Sequence, residues 1–414
     1  MSPGAVAVDE SRCAAVTGIG VVTPGGNDVD TFWATLLSGA SVARRLDRLV
    51  GEVVDFGCEV SGLDAAARLG GKVVRRTDPF TQFALCAALD AVDDAGLGAV
   101  DPDRAAVVVG NGGGGGETWS AEGAKAMKRG YTLLNPLTVP MSMPNAAPAT
   151  IAITLGWRGP NMAVNTACAS GGHALGEALR LVRDGAVDVV VAGGTEAAIT
   201  PFQVNAFARA HALSTRGDAP EVASRPFDCD RDGFVIGEGA AFCVLEPVAR
   251  ARARGAAIHG LLAGYGRNCD AFHLVAPQPD GAAAARCMAG ALVDAGLRPV
   301  DVVHVHAHGT STPLNDVAEG KAIAAVLGEA RPSVTSSKGA LGHGIGAAGA
   351  IGMVAACLAV RDGVAPPIAN LERPDPEVPL DLVAGAPRPV PPGAALANSF
   401  GFGGHNSTLV VVPA

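Results

Sequence analysis

Aromatic residues are scarce in this 414-residue chain, where 12 Phe, 3 Trp and 2 Tyr amount to 4%. With 49% hydrophobic residues but so few rings, a core must be built from Ala, Val and Leu, and the 55 glycines let backbones approach closely. Charge is sparse at 17%, and 31 Lys+Arg against 40 Asp+Glu leave a net −9. No long basic run is present, which argues against nucleic acid as a partner. The nine cysteines form no CxxC pair. That argues against a zinc ribbon or a disulfide framework and fits a reducing cytoplasm. Met1 to Arg12 has acidic residues and no apolar core, so it reads as a loose tail (residues 1–11) and not as a signal peptide. Only Gly339 to Val360, free of Lys, Arg, Asp and Glu, approaches the roughly 20 residues of a membrane span. Its Gly and Ala content and its His343 predict a helix buried in a soluble core instead, with no membrane contact.

What is present is an alternation of strand and helix signals. Cys13 to Gly20 reads as a strand, and Asp30 as the N-cap of a helix through Leu37. A second helix is expected over Pro79 to Asp94, from its helically spaced apolar positions. Ala105 to Gly110 is a wholly apolar run of the kind buried on both faces of a sheet. The glycines Gly112 to Gly116 that follow lack both the Walker Lys-Ser/Thr and a GxGxxG-plus-acid pattern, so the loop reads as backbone crowding near a pocket. Val187 to Gly194 and Ala240 to Leu245 are further strands. From Ile258 the order repeats: a strand ending in glycines, a helix over Gly281 to Gly296, strands Val302 to Ala307 and Thr408 to Val412. Layered α/β architecture is predicted, with related halves at 12–254 and 255–414 meeting near Arg254-Gly255.

One cysteine stands out in Val164-Asn165-Thr166-Ala167-Cys168-Ala169-Ser170-Gly171-Gly172. Apolar residues lead into it and an amphipathic run from His173 to Arg183 leaves it, so a strand ends at Thr166 and a helix begins beside the thiol. Free amides and the positive end of a helix dipole favour a thiolate there. Three other segments place a reactive group among glycines at a strand end or helix start: His308-Gly309-Thr310-Ser311-Thr312-Pro313, Lys338-Gly339-Ala340-Leu341-Gly342-His343, and Asn398-Ser399-Phe400-Gly401-Phe402-Gly403-Gly404-His405-Asn406.

With RPFDCDRDGFVIGEG, these segments form an ordered set that resembles the β-ketoacyl-(acyl carrier protein) synthases of the thiolase superfamily, in the elongating branch, from about Arg12 to the C-terminus. His343 points away from the initiating branch and from degradative thiolases. The resemblance implies a thiolase-like five-layered αβαβα fold of two duplicated halves, and a dimer paired through the strand near Asn161 to Thr166. It implies that Cys168 carries the acyl group, that His308 and His343 stabilise an enolate from malonyl-carrier protein, and that Cys168 and Phe402 amides form the oxyanion hole. By the same resemblance Lys338 pairs with Glu319, Thr310 and Thr312 hold the phosphopantetheine arm, and Phe402 gates the acyl chain. Acyl carrier protein delivers the substrates, with no bound cofactor and no metal.

Two features depart from the family pattern. His304, His306 and His308 alternate on one strand face, a spacing that could hold a metal but reads better as packing or hydrogen bonding. Gly113 stands where relatives place a bulky apolar residue, so a deeper acyl pocket is expected. The expected activity is decarboxylative condensation in fatty-acid or type II polyketide elongation, by a homodimer or a heterodimer with a chain-length factor. The non-catalytic chain-length partner itself is the alternative, and the retained Cys168 speaks against it.

Overall fold

The computed structural model describes residues 8–414; most of the expected N-terminal tail lies outside them. Eleven strands form one sheet: β1 Ala14–Val22, β2 Ala105–Gly110, β3 Asn161–Val164, β4 Val189–Glu196, β5 Gly239–Pro247, β6 Gly260–Cys269, β7 Val302–His306, β8 Ser333–Thr335, β9 Asp381–Leu382, β10 Ala394–Gly401 and β11 His405–Val412. Their order is β9-β8-β7-β10-β11-β6-β1-β5-β4-β2-β3. β1 and β6 meet antiparallel at the centre, over only Ala14↔Leu262 to Val16↔Gly260. On either side the pattern is the same. β1 pairs antiparallel with β5 as β6 does with β11, and β4–β2–β3 run parallel as β10–β7–β8 do.

Helices α1 Val29–Ser38, α2 Pro79–Ala95, α3 Ser170–Arg183, α4 Ala282–Ala295, α5 Pro313–Leu327 and α6 Ala348–Asp362 complete the frame. α2 covers β1 and β5 on one outside, α4 covers β6 and β11 on the other, and α3 packs on α6 in the middle. The result is helix, sheet, helix, sheet, helix. Glycine makes the outer contacts possible at matching places. A Cβ on Gly20 of β1 would lie 2.0 Å from the Ala87 carbonyl of α2, and one on Gly266 of β6 would lie 2.1 Å from the Cys287 carbonyl of α4. In the middle layer, a Cβ on Gly349 would lie 2.5 Å from the Gly172 amide. A core poor in rings is thus filled by backbone drawn close, which keeps dispersion contacts dense.

Two local expectations are corrected. Asp28, not Asp30, caps α1, its carboxylate accepting the Thr31 N–H at 2.8 Å; Asp30 sits inside the first turn. The charge-free stretch is not one helix. A short helix Lys338–Leu341 stops at Gly342 (φ 67°), Ile345 turns through φ 45°, and only then does α6 run to Asp362. Ile345–Asp362 is apolar and long enough to cross a membrane, but 83% of it is buried inside the protein. The break matters because it turns His343 out of the helix and into the site.

Candidate active site

The turn that carries Cys168 begins where β3 ends at Val164. Ala167 takes φ 51°, a left-handed conformation that folds the chain back sharply before α3 starts at Ser170. Ser170 locks the turn: its hydroxyl accepts the Thr166 N–H at 2.8 Å and donates to the Ala167 carbonyl at 2.6 Å. One turn on, His173 Nε2 donates to the Asn406 carbonyl at 3.1 Å, so its Nδ1 accepts the Thr166 hydroxyl at 2.7 Å. Cys168 is thereby fixed at the floor of a cavity of about 400 Å³, which it shares with His308, His343, Thr310, Thr312 and Phe402.

The thiolate expected from the helix dipole is not the resting form. Burial pushes the Cys168 thiol up to about 11; Lys338 and the N–H groups of Phe402 and Cys168 itself pull it down only in part. Gly401, one residue before Phe402, packs against this turn: a Cβ there would lie 3.2 Å from the Cys168 nitrogen.

The second half supplies the donors. His308 and His343 face each other edge to face, ring centres 5.4 Å apart, and both are fully enclosed. Burial, then the charge of Lys338, holds both imidazoles well below their ordinary value, so both are neutral at pH 7. The Ile345 N–H donates to His343 Nδ1 at 3.3 Å, which leaves Nε2 as the protonated nitrogen. Lys338 Nζ lies 3.4 Å from His308 Nδ1 and donates to the His308 carbonyl. With the ammonium on Nδ1, His308 too keeps its proton on Nε2.

Lys338 and Glu319 do not form the direct ion pair the resemblance implies. Glu319 instead accepts the amides of His308 and Gly309, each at 2.7 Å. The main chain of His308 therefore bridges the two charges, carboxylate on its N–H and ammonium on its C=O. Burial lowers Lys338 to about 8 and raises Glu319 to about 7. Thr310 and Thr312 touch through their hydroxyls at 2.9 Å, both on the cavity wall. Phe402 sits on a loop that needs glycine, since Gly403 and Gly404 take φ 85° and 76°, and Gly403 N–H is tied to the Leu274 carbonyl at 2.8 Å.

Gly113 is not brought to the cavity. A Cβ there would meet Gln203 Nε2 at 3.0 Å and Glu196 Oε1 at 3.4 Å, and it is Ile345, lying against Gly112, that lines the cavity. His304 Nδ1 pairs with the Ser333 hydroxyl at 2.9 Å and His306 Nε2 accepts the Ser337 N–H at 3.2 Å, the hydrogen-bonding role expected of them. No cluster of metal-ligating side chains occurs among the described residues. Sequence reasoning passed over Phe400, stacked at a tilt on His308 with ring centres 5.8 Å apart. It also passed over Asp316, whose carboxylate receives the amides of Phe227, Thr310 and Ser311. An acid buried one turn after HGTST was the available signal for Asp316.

Residues 12–251 match the beta-ketoacyl synthase N-terminal domain and residues 259–372 its C-terminal domain. The chain belongs to the beta-ketoacyl synthase family. A 3-oxoacyl-[acyl-carrier-protein] synthase 2 of Synechocystis sp. is 44% identical over 406 residues, 97% of this chain and 98% of that relative. One from Staphylococcus aureus is 41% identical, over 97% of this chain and 99% of the relative. Among solved structures, the ishigamide ketosynthase/chain length factor superposes with a TM-score of 0.91 at 33% identity, covering 97% of this chain and 99% of that one. A type II PKS acyl-carrier protein in complex with its ketosynthase bound to the hexaketide gives 0.90 at 32%, with the same coverage. The thiolase fold of this ketosynthase, layered and duplicated as expected, agrees with those neighbours.

Proposed function

We propose that this ketosynthase elongates acyl chains carried on acyl carrier protein, by decarboxylative Claisen condensation with malonyl-carrier protein. The observation that carries the reading is one cavity that gathers a thiol, Phe402 and two neutral imidazoles protonated at Nε2. In the first step Cys168 Sγ attacks the thioester carbonyl, giving up its proton, and the pantetheine sulfur leaves and takes one up. Amides of Cys168 and Phe402 receive the charge that develops on the carbonyl oxygen. In the second step the malonyl C–C bond to the carboxylate breaks, CO2 departs, and the electron pair becomes an enolate. His308 and His343 donate to its oxygen. The enolate carbon then bonds to the acyl carbon, the C–S bond breaks, and Cys168 leaves as thiolate. Lys338 holds His308 as a donor through Nδ1, and Glu319 fixes the peptide between them. Thr310 and Thr312 bind the pantetheine arm, and Phe402 on its glycine loop opens for the acyl chain.

Within that reading the junction of the halves lies at 254–255, and no metal or cofactor is required. The enzyme class is a 3-oxoacyl-carrier-protein acyltransferase. A second chain, either a copy or a chain-length factor, pairs along β3, one edge of the sheet. Nine free thiols suit a reducing cytoplasm. Fatty-acid and polyketide settings both fit this site. The chain-length partner alone does not, because it would have no use for Cys168. Incubation with acyl-carrier-protein thioester should add one acyl mass to the enzyme and none to Cys168→Ala; equal labelling of both would sink the assignment.

A further inference from the structure

Glu196 has no part in the chemistry above, yet it joins both walls of the site. It ends β4 and is 1% exposed. Its Oε2 accepts the Gly112 amide at 2.7 Å and the Gly346 amide at 3.0 Å; its Oε1 accepts the Gly113 amide at 3.0 Å. Gly112 and Gly113 follow β2 in the first half, whereas Gly346 lies three residues after His343 in the second. The glycine turn is itself bound to the nucleophile's flanks. Asn165 Nδ2 donates to the Gly112 carbonyl at 2.9 Å, and the Ser170 hydroxyl reaches the Asn111 carbonyl at 3.1 Å. Across the carboxylate, the Ile345 amide holds His343 Nδ1 and the very next amide is the one Glu196 takes. The packing allows no substitute: a Cβ on Gly346 would lie 2.4 Å from the Gly112 nitrogen, and one on Gly112 would lie 2.7 Å from Oε2. The otherwise unexplained glycines at 112 and 346 are what this close approach to the carboxylate needs.

We propose that Glu196 is a positioning residue for the condensation site, holding the turn behind Cys168 against the turn that carries His343. The proposal rests on the condensing reading of that site. A carboxylate can only accept, so all three amides find a partner; a carboxamide would turn N–H toward N–H. Apart from Cys168, the charged group that bears on Glu196 is Asp78, which caps α2, and Lys338 bears in turn on Cys168.

The test uses the full chain with acyl- and malonyl-carrier-protein thioesters, following acyl-enzyme mass and condensation product separately. In Glu196→Gln, acylation should fall about tenfold and condensation about a hundredfold, with unchanged circular dichroism. Glu196→Asp keeps the acceptor character and should recover part of the acylation rate. Alkylation of Cys168 by iodoacetamide supplies a readout that simple scaffolding would not move. Loss of the nearby negative charge should shift the pH midpoint of alkylation downward. Condensation within twofold of the parent enzyme overturns the proposal, as does an equal loss in both steps with an unmoved alkylation midpoint. Should Glu196→Gln not fold, Asn165→Ala at an exposed position decides instead: acylation slows about threefold, or the proposal falls. A parent enzyme that forms no acyl-enzyme would overturn the condensing reading, while the alkylation comparison, which needs no carrier protein, would still judge Glu196.

Discussion

The strand ends of β2 and β3 on one side and β7 and β8 on the other hold equivalent places in the sheet but carry different chemistry. After β3 the chain turns through small residues, and the single reactive group is Cys168. After β7 and β8 it presents His308, Lys338 and, beyond Gly342, His343. Both sides use the same anchoring device. Glu196 closes the turn after β2 and Glu319 closes the turn after β7, each taking two successive amides, and burial raises both to about 7. The duplicated frame therefore sets where a turn stands, and the turn decides what it does. In the proposed mechanism one half forms and breaks the covalent bond, and the other only donates hydrogen bonds to developing charge.

If that division of labour is right, substitutions in the two halves separate the two steps. Cys168→Ala should abolish acyl-enzyme and lower condensation by about a thousandfold or more. His308→Ala and His343→Ala should still acylate within about tenfold while condensation falls about a hundredfold to a thousandfold. Mass spectrometry of the acyl-enzyme beside product formation checks both; a histidine variant that loses acylation as fully as Cys168→Ala would erase the distinction. Lys338→Ala should fall between them, because it removes the group that keeps the His308 proton on Nε2.

Much of this arrangement was legible before any coordinates. The wholly apolar runs gave β2 and β4, and a small-residue cluster after an apolar stretch marked the turn at Cys168. What stayed hidden depended on tertiary partners. Glu196 lies two residues beyond the strand read over Val187 to Gly194, and nothing local shows that amides from positions 112, 113 and 346 converge on it. The Lys338–Glu319 pairing was expected as a contact between side chains, whereas the fold routes it through the His308 peptide. The helix from Gly339 was expected to be continuous because its composition is uniform; Gly342 and Ile345 break it through conformations that composition does not report. Asp28 and Asp30 are both fair caps by residue type, and only the path of the chain chooses Asp28.

The equivalence of the frame itself can be broken at its glycines. Gly20→Ala and Gly266→Ala each drive a methyl into a helix carbonyl, at 2.0 Å and 2.1 Å. Both should destabilise by about 3 kcal/mol or more, and by similar amounts, in chemical denaturation. A large loss at one position and little at the other would show that the outer helices α2 and α4 are not held alike.

The smallest expected effect is a divergence of the two halves with pH. His304, His306, His308 and His343 lie in the second half, and burial lowers all four, His304 to about 3. Neutral when folded and protonated when unfolded, they let the unfolded state bind more protons once pH drops below 6.5. Their stabilisation is therefore present above 6.5 and lost as pH falls toward the folded-state values; for His304 alone the loss by pH 5 is on the order of 2 kcal/mol. Buried glutamates act the other way. Glu196 and Glu238 in the first half, and Glu319 in the second, titrate near 7 against an ordinary 4.5. The folded chain then holds the extra protons, so stability from these groups is full below 4.5 and is lost as pH rises to about 7. Acid thus favours the first half, where two glutamates face one lowered histidine, His173, and weakens the second, where four histidines face one glutamate. Between pH 7.5 and 5, amide hydrogen exchange corrected for its intrinsic rate should show β7 and β8 losing protection about tenfold relative to β2 and β4. Equal losses across all four strands would mean that the halves open only together, and that their likeness in topology extends to cooperativity.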